Sequence, residues 1–284
     1  MTSEQLTFPP ARTNVVFGRG GDRDLLCDIY EPAASASPAP KRMAIVHIHG
    51  GAFRGGSKEA MGPKVQPYLR RGYVCIAASY RLSGEAKWPA QIQDIKACIR
   101  WVRANASDLG IEPDRIALAG YSAGAHLALM TASTMDRSEF EGHGGNAGVS
   151  SDVAACLAYY PPQQISRTAD GSAHQLMADD ASEDDYRGAS PIFTVGAQTV
   201  PTVFYHGTAD AMIPPAASEA LYAALVAAGV PAELHTFHGV SHEFDRHPEF
   251  GEQCAAIADL FLDHQVLDPR TYPPFMPRQQ PATA

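Results

Sequence analysis

Short, almost continuously apolar runs alternate along the chain with longer segments whose apolar positions recur at helical spacing. The runs predict strands over residues 13–18, 25–30, 44–49, 73–80, 115–119, 154–160, 202–206 and 232–237. The inner ones read AIVHIH, YVCIAAS, RIALA, AACLAYY and TVFYH, without a regular apolar–polar alternation. A strand covered by helices on both faces has no solvent side and loses that alternation. The pattern therefore predicts an α/β fold with a mostly parallel central sheet and helices on both faces.

Three segments carry the helical period. Residues 89–105 place Ile92, Ile95, Ile99 and Val102 on one face and Asp94, Lys96, Arg100 and Arg103 elsewhere. Residues 215–229 carry Ala and Leu at the same spacing and end at Gly229, which suits a C-cap. A third helix is expected over 249–264. Residues 134–153 and 161–200 break the rhythm with Gly, Asp, Ser and Pro. Long connections inside a domain are often functional loops or lids, so a substrate-covering insertion is expected within 134–200. From 267 onward, prolines without periodicity predict an irregular tail. With no repeat or linker in view, residues 1–284 read as a single domain.

Composition narrows the partners. A formal net charge of −9 disfavours nucleic acid and anionic membrane, both of which reward clustered Lys and Arg. A small neutral substrate fits, and a homo-oligomer is compatible. The five cysteines, at 27, 75, 98, 156 and 254, lack CxxC or metal-type spacing, which suits a reducing compartment. The first residues, MTSEQLTFPPARTNVV, show no basic start followed by an apolar run, and no stretch approaches the roughly 20 apolar residues of a membrane span. The expectation is a cytoplasmic protein with no membrane association.

The chemistry concentrates in a few motifs. Gly120-Tyr121-Ser122-Ala123-Gly124 matches G-x-S-x-G between the strand RIALA and the helix-like AHLALMTA. A sharp strand-to-helix turn exposes the serine and forbids bulky neighbours, which accounts for a glycine two residues to either side. The bland alternative is a glycine-rich turn. At the end of AIVHIH stands His47-Ile48-His49-Gly50-Gly51-Ala52-Phe53. Acyl transfer develops an oxyanion, which backbone N–H groups of a small-residue loop can meet. Gly51 and Ala52 are the expected donors, joined by Ala123; Gly50 with Gly51 is the alternative pair.

A serine hydroxyl needs a base, and the base needs an orienting acid. Chain order in folds carrying this elbow is Ser, acid, His. His242, in GVSHEF after the strand 232–237, fits the base, ahead of His238, His235 and His247. Asp210, in HGTAD after the strand 202–206, fits the acid. Asp179, Asp180, Asp184 and Asp185 lie in a polar stretch without a preceding strand and read as a solvated charge run. Phe53, Trp88, Tyr121 and Phe244 adjoin motif residues and could line a substrate pocket, with core packing as the alternative. His126, one helical turn after Ser122, and His47, inside a strand, read as structural.

With these residues in hand, the sequence resembles the bacterial α/β-hydrolase esterases of the feruloyl-esterase-like and hormone-sensitive-lipase-like groups. The resemblance runs from about residue 16 to 264. It rests on HIHGGAFRGGSK, SYRLSGEAKWPAQIQDIKACIRWVRANA, DRIALAGYSAGAHLALM, FYHGTADAMIPPAASEALYAALVAAGV and GVSHEF, in that order. It implies the eight-stranded α/β-hydrolase fold, a Ser–His–Asp triad, no cofactor and no metal, and carboxylic ester hydrolysis on small or aryl esters.

Ala52 and Tyr121 stand where the lipase-like group usually has a third glycine and an acidic residue, so the feruloyl-esterase-like group fits better. A weaker resemblance to kynurenine formamidases, through HGG and SAGAHL, keeps an amidase or formamidase on the same machinery in view. A non-catalytic binding protein, as plant gibberellin receptors are, fits less well, because those have lost the histidine present here at 242.

Overall fold

Five consecutive buried residues in Ala44–Ile48 (β3) and five more in Val74–Ala78 (β4) have no solvent-facing side. They lie in the middle of an eight-stranded sheet, as do Ile116–Tyr121 (β5), Ala155–Tyr159 (β6) and Thr202–Gly207 (β7). Arg12–Gly20 (β1) and Arg23–Tyr30 (β2) form a hairpin at one edge, and Ala232–Phe237 (β8) closes the other. The order is β1-β2-β4-β3-β5-β6-β7-β8. β2 runs antiparallel to β1 and β4, and every pairing from β4 to β8 is parallel. This is the α/β-hydrolase architecture. The structure is a computed structural model that describes residues 8–32, 40–167 and 175–273.

All eight expected strands are present, with ends shifted by a few residues. Ala90–Ala104 (α2), Ala216–Ala227 (α5) and Pro248–Leu262 (α6) match the three expected helices, and the apolar AHLALMTA lies in Ala123–Ser133 (α3). α3 is buried at all of its positions, because it packs directly behind β5, β6 and β3. Two helices were not expected. Gly62–Leu69 (α1) is eight residues long with Pro67 inside it, too short and too interrupted to show a helical period. Glu183–Gly188 (α4) grows from the polar run and is started by a capping box, in which Ser182 and Asp185 bond each other's backbone N–H.

Two apolar layers sandwich the sheet. α2, α3 and α5 cover one face through Ile95, Ile99, Leu127, Leu129, Leu221 and Leu225. α1 and α6 cover the other through Val65, Tyr68, Leu69, Ala258 and Phe261. All five cysteines are free and buried. Among the described residues no helix is long and apolar enough to cross a membrane.

The two irregular insertions behave differently. Residues 134–153 lie along α2: Lys96 and Arg100 pair with Glu141, Arg100 also bonds Gly145 O, and Arg103 bonds the carbonyls of Ser150 and Asp152. No hydrogen bond, ion pair or ring contact among the described residues joins this segment to Ser122 or His242. The other part of the region in which a lid is expected is 161–200. That segment leaves β6 at the same strand edge as Ser122, and its Ala189 carbonyl accepts a hydrogen bond from His126, 2.6 Å away on α3. Residues 168–174, and the end of the expected irregular tail from 274, lie outside the described residues.

Candidate active site

The turn from β5 into α3 sets Ser122 at φ 55°, ψ −117°, in the left-handed half of conformational space. Its glycine neighbours are a steric requirement. A Cβ on Gly120 would stand 2.2 Å from the Gly124 carbonyl oxygen, and one on Gly124 would stand 2.0 Å from that of Ile48. The turn is fixed from the side by a hydrogen bond from Ser122 N–H to Tyr159 O, 3.0 Å. A residue held in such a region costs on the order of 1–3 kcal/mol and persists where surroundings over-determine it.

His242 reaches this serine from the loop after β8. Its Nε2 lies 3.0 Å from Ser122 Oγ and its Nδ1 lies 2.6 Å from Asp210 Oδ2. The carboxylate accepts the Nδ1 proton's hydrogen bond, which leaves Nε2 free to accept from the serine hydroxyl. Asp210 follows β7. Its Oδ1 accepts from the N–H groups of Met212 and Ile213, both at 2.9 Å.

Sequence reasoning missed a fourth member. His206 Nε2 lies 3.2 Å from Asp210 Oδ2 and 2.8 Å from Ile213 O, while its Nδ1 accepts from Ser218, 2.7 Å away. Burial alone would raise the Asp210 pKa; hydrogen bonds from His206, His242 and Ile213 N–H outweigh it and hold the carboxyl well below its usual range. The signal was present: His206 and Asp210 lie four residues apart within HGTAD.

The rival residues lie elsewhere. His238 and His247 are exposed, and His235 bonds Glu233 in β8. Asp179, Asp180, Asp184 and Asp185 are exposed, the last as the cap of α4.

The loop after β3 lies against the serine. Gly51, Ala52 and Phe53 have φ values of 117°, 53° and 62°, three left-handed residues in succession. They are held by hydrogen bonds from Arg54 and Gly55 N–H to Gly51 O, from Ser83 N–H to Phe53 O, and from His49 Nδ1 to Gly50 O. No described residue accepts from the N–H of Gly51, Ala52 or Ala123. The alternative donor, Gly50 N–H, is equally without an acceptor.

Of the four expected pocket residues, three follow the core-packing alternative. Phe53, Tyr121 and Phe244 are only 1%, 2% and 2% exposed. Left-handed backbone turns Phe53 inward, edge-on to His126, where it anchors the glycine loop. Successive strand residues point to opposite faces, so Tyr121 packs on Tyr159 in the layer under α1 and α6. Phe244 packs on Phe237 and Phe250. Trp88 is partly exposed and lines a cleft of about 450 Å³ with Phe140, Met177 and Asp184, whose walls include neither Ser122 nor His242.

His126 is fully buried, edge-on to Trp88, and burial lowers its pKa to about 4. His47 is likewise buried, its pKa lowered to about 3 mainly by burial. Both lie inside the protein, as their reading as structural residues required. Among the described residues no cluster of three or more His, Cys, Asp or Glu could hold a metal ion.

The BD-FAE family model matches residues 27–225, which include Ser122, Asp210 and the glycine loop. The chain belongs to the BD-FAE family. Esterase LipQ of Mycobacterium tuberculosis is 30% identical over 82% of this chain and 57% of its own length. Esterase LipC of the same organism is 30% identical over 69% of this chain and 50% of its own length. The chain thus spans about half the length of the curated relatives it matches. Among solved structures, apo Thermogutta terrifontis esterase 2 superposes on this BD-FAE member with a TM-score of 0.78 at 30% identity, covering 93% of this chain and 98% of that one. A truncated carbohydrate esterase from gut microbiota gives 0.73 at 27% identity, covering 89% and 99%.

Proposed function

We propose that this BD-FAE member is a serine carboxylic ester hydrolase acting on small or aryl esters by acyl transfer. One observation carries the reading: the unbroken hydrogen-bonded line from Ser122 Oγ through His242 to Asp210, beside a loop of free N–H groups. The esterase relatives and structural neighbours support the same chemistry.

In the proposed mechanism His242 Nε2 takes the hydroxyl proton as Ser122 Oγ attacks the ester carbonyl. The carbonyl π electrons move to oxygen, and the N–H groups of Gly51, Ala52 and Ala123 hold the oxyanion. The imidazolium, stabilised by the Asp210 carboxylate, gives its proton to the leaving alkoxide. Water then adds to the acyl-enzyme with His242 again as base, and carboxylic acid departs from Ser122. His206 and the two backbone N–H groups keep Asp210 ionised throughout.

The test is a matched pair of p-nitrophenyl ester and p-nitroanilide substrates carrying the same acyl group. Faster ester turnover is expected; preferential turnover of the anilide would turn the reading toward an amidase.

A further inference from the structure

Beneath His242 lies a set of buried polar groups that the acyl-transfer scheme does not use. Lys64 on α1 and Asp245, three residues after His242, form an ion pair whose side chains are only 7% and 4% exposed. Tyr160, at the end of β6, completes a triangle. Its hydroxyl donates to Asp245 Oδ1 at 2.6 Å and accepts from Lys64 Nζ at 3.3 Å. Burial and the neighbouring Asp245 raise the Tyr160 pKa, so the phenol keeps the proton it donates.

The triangle touches both halves of the reacting pair. The Tyr160 ring packs against the His242 imidazole with centroids 4.4 Å apart. Lys64 Nζ sits 4.4 Å above the ring of Tyr121, whose backbone leads directly into Ser122. Four segments meet here: α1, which follows the glycine loop, and the ends of β5, β6 and the His242 loop. Tyr160 is held at φ 40°, an uncommon backbone for an aromatic residue, with its N–H bonded to Tyr205 O at 2.8 Å.

A buried ion pair is weak evidence for stability, because desolvation consumes much of its attraction; fixing one arrangement among several is a better-attested use. His242 comes from a loop and is bonded at Nδ1 by Asp210, and a displacement of about 1 Å in its imidazole can cost 100-fold in rate.

We propose that Lys64, Asp245 and Tyr160 form a buried clamp that sets the His242 imidazole against Ser122, as positioning residues. The inference rests on the acyl-transfer reading above.

The test compares wild type with Tyr160→Phe, which keeps the ring on His242 but removes the bond to Asp245, and with the double variant Lys64→Met/Asp245→Leu, which removes both charges at similar volume. The readouts are kcat and KM on a p-nitrophenyl ester, the rate at which a fluorophosphonate labels Ser122, and Tm. In the folded variants kcat and labelling rate are expected to fall about 10- to 100-fold with KM within about twofold. Folded variants that match wild type in kcat and labelling overturn the clamp. If the double variant does not fold, Tyr160→Phe decides: loss of kcat at an unchanged Tm supports the clamp, and wild-type kcat overturns it. A wild type that does not label at Ser122 removes the acyl-transfer reading and the clamp with it, an outcome distinct from a labelled wild type with indifferent variants.

Discussion

Gly50 lies so close to Ser122 that a methyl group on its Cα would stand 3.2 Å from the serine Cβ and 2.8 Å from the Tyr121 carbonyl oxygen. The glycine loop thus lies so close to the serine turn that a side chain at position 50 does not fit between them, and the free N–H groups of the loop stay beside the serine only while that position has none. Gly50→Ala is expected to push the loop away. Losing one oxyanion donor costs about 10²–10³ in kcat. Steady-state kinetics with a thermal melt will check this: kcat should fall by that order while the protein remains folded.

Asp210 and the acidic run near 184 make opposite predictions. Asp210→Asn leaves His242 in the wrong tautomer and is expected to lower kcat by about 10⁴. Asp184→Asn should leave kcat unchanged, since that side chain is exposed and bonds neither His242 nor Asp210. Asp185→Asn removes a carboxylate from the capping box of α4, so it should lower stability slightly without touching turnover. Side-by-side kinetics and urea unfolding of the three variants will separate the roles.

Buried histidines give the fold an acid-side weakness. His126 titrates at about 4 and His47 at about 3 in the folded protein, both chiefly because burial disfavours the imidazolium. An unfolded chain protonates them near pH 6.5. Between those values the unfolded state binds more protons, so stability is full above about 6.5 and falls as pH drops toward 4. The His126 contribution is on the order of 3 kcal/mol across that window. Urea unfolding of wild type and His126→Gln at pH 7 and pH 4.5 will check it: the variant should show the shallower pH dependence, whatever its absolute stability.

How much could be read from the chain follows from the range of each interaction. The strands and the helices α2, α5 and α6 write their burial into local periodicity, so their positions were legible. The serine turn was legible because Gly120 and Gly124 flank Ser122 at fixed offsets; Gly120 is demanded by Gly124 and Ala125 nearby in the chain, and Gly124 by the distant Ile48 and His49. α1 was hidden by its prolines, and α4 by a polar composition in which the Ser182–Asp185 cap was the overlooked cue. For Phe53, Tyr121 and Phe244 the choice between pocket and core stayed open in the sequence, because adjacency to a motif says nothing about which face a residue takes. Lys64 and Asp245 are 181 positions apart, and no local pattern marks such a pair.

The central claim is that Ser122 is the nucleophile, and its most direct test is the hydrolysis of a p-nitrophenyl ester by purified wild type and Ser122→Ala. A loss of about 10⁴–10⁶ in kcat, in a variant with the wild-type melting profile, is the expected result. Turnover retained by a pure Ser122→Ala sample would contradict the account.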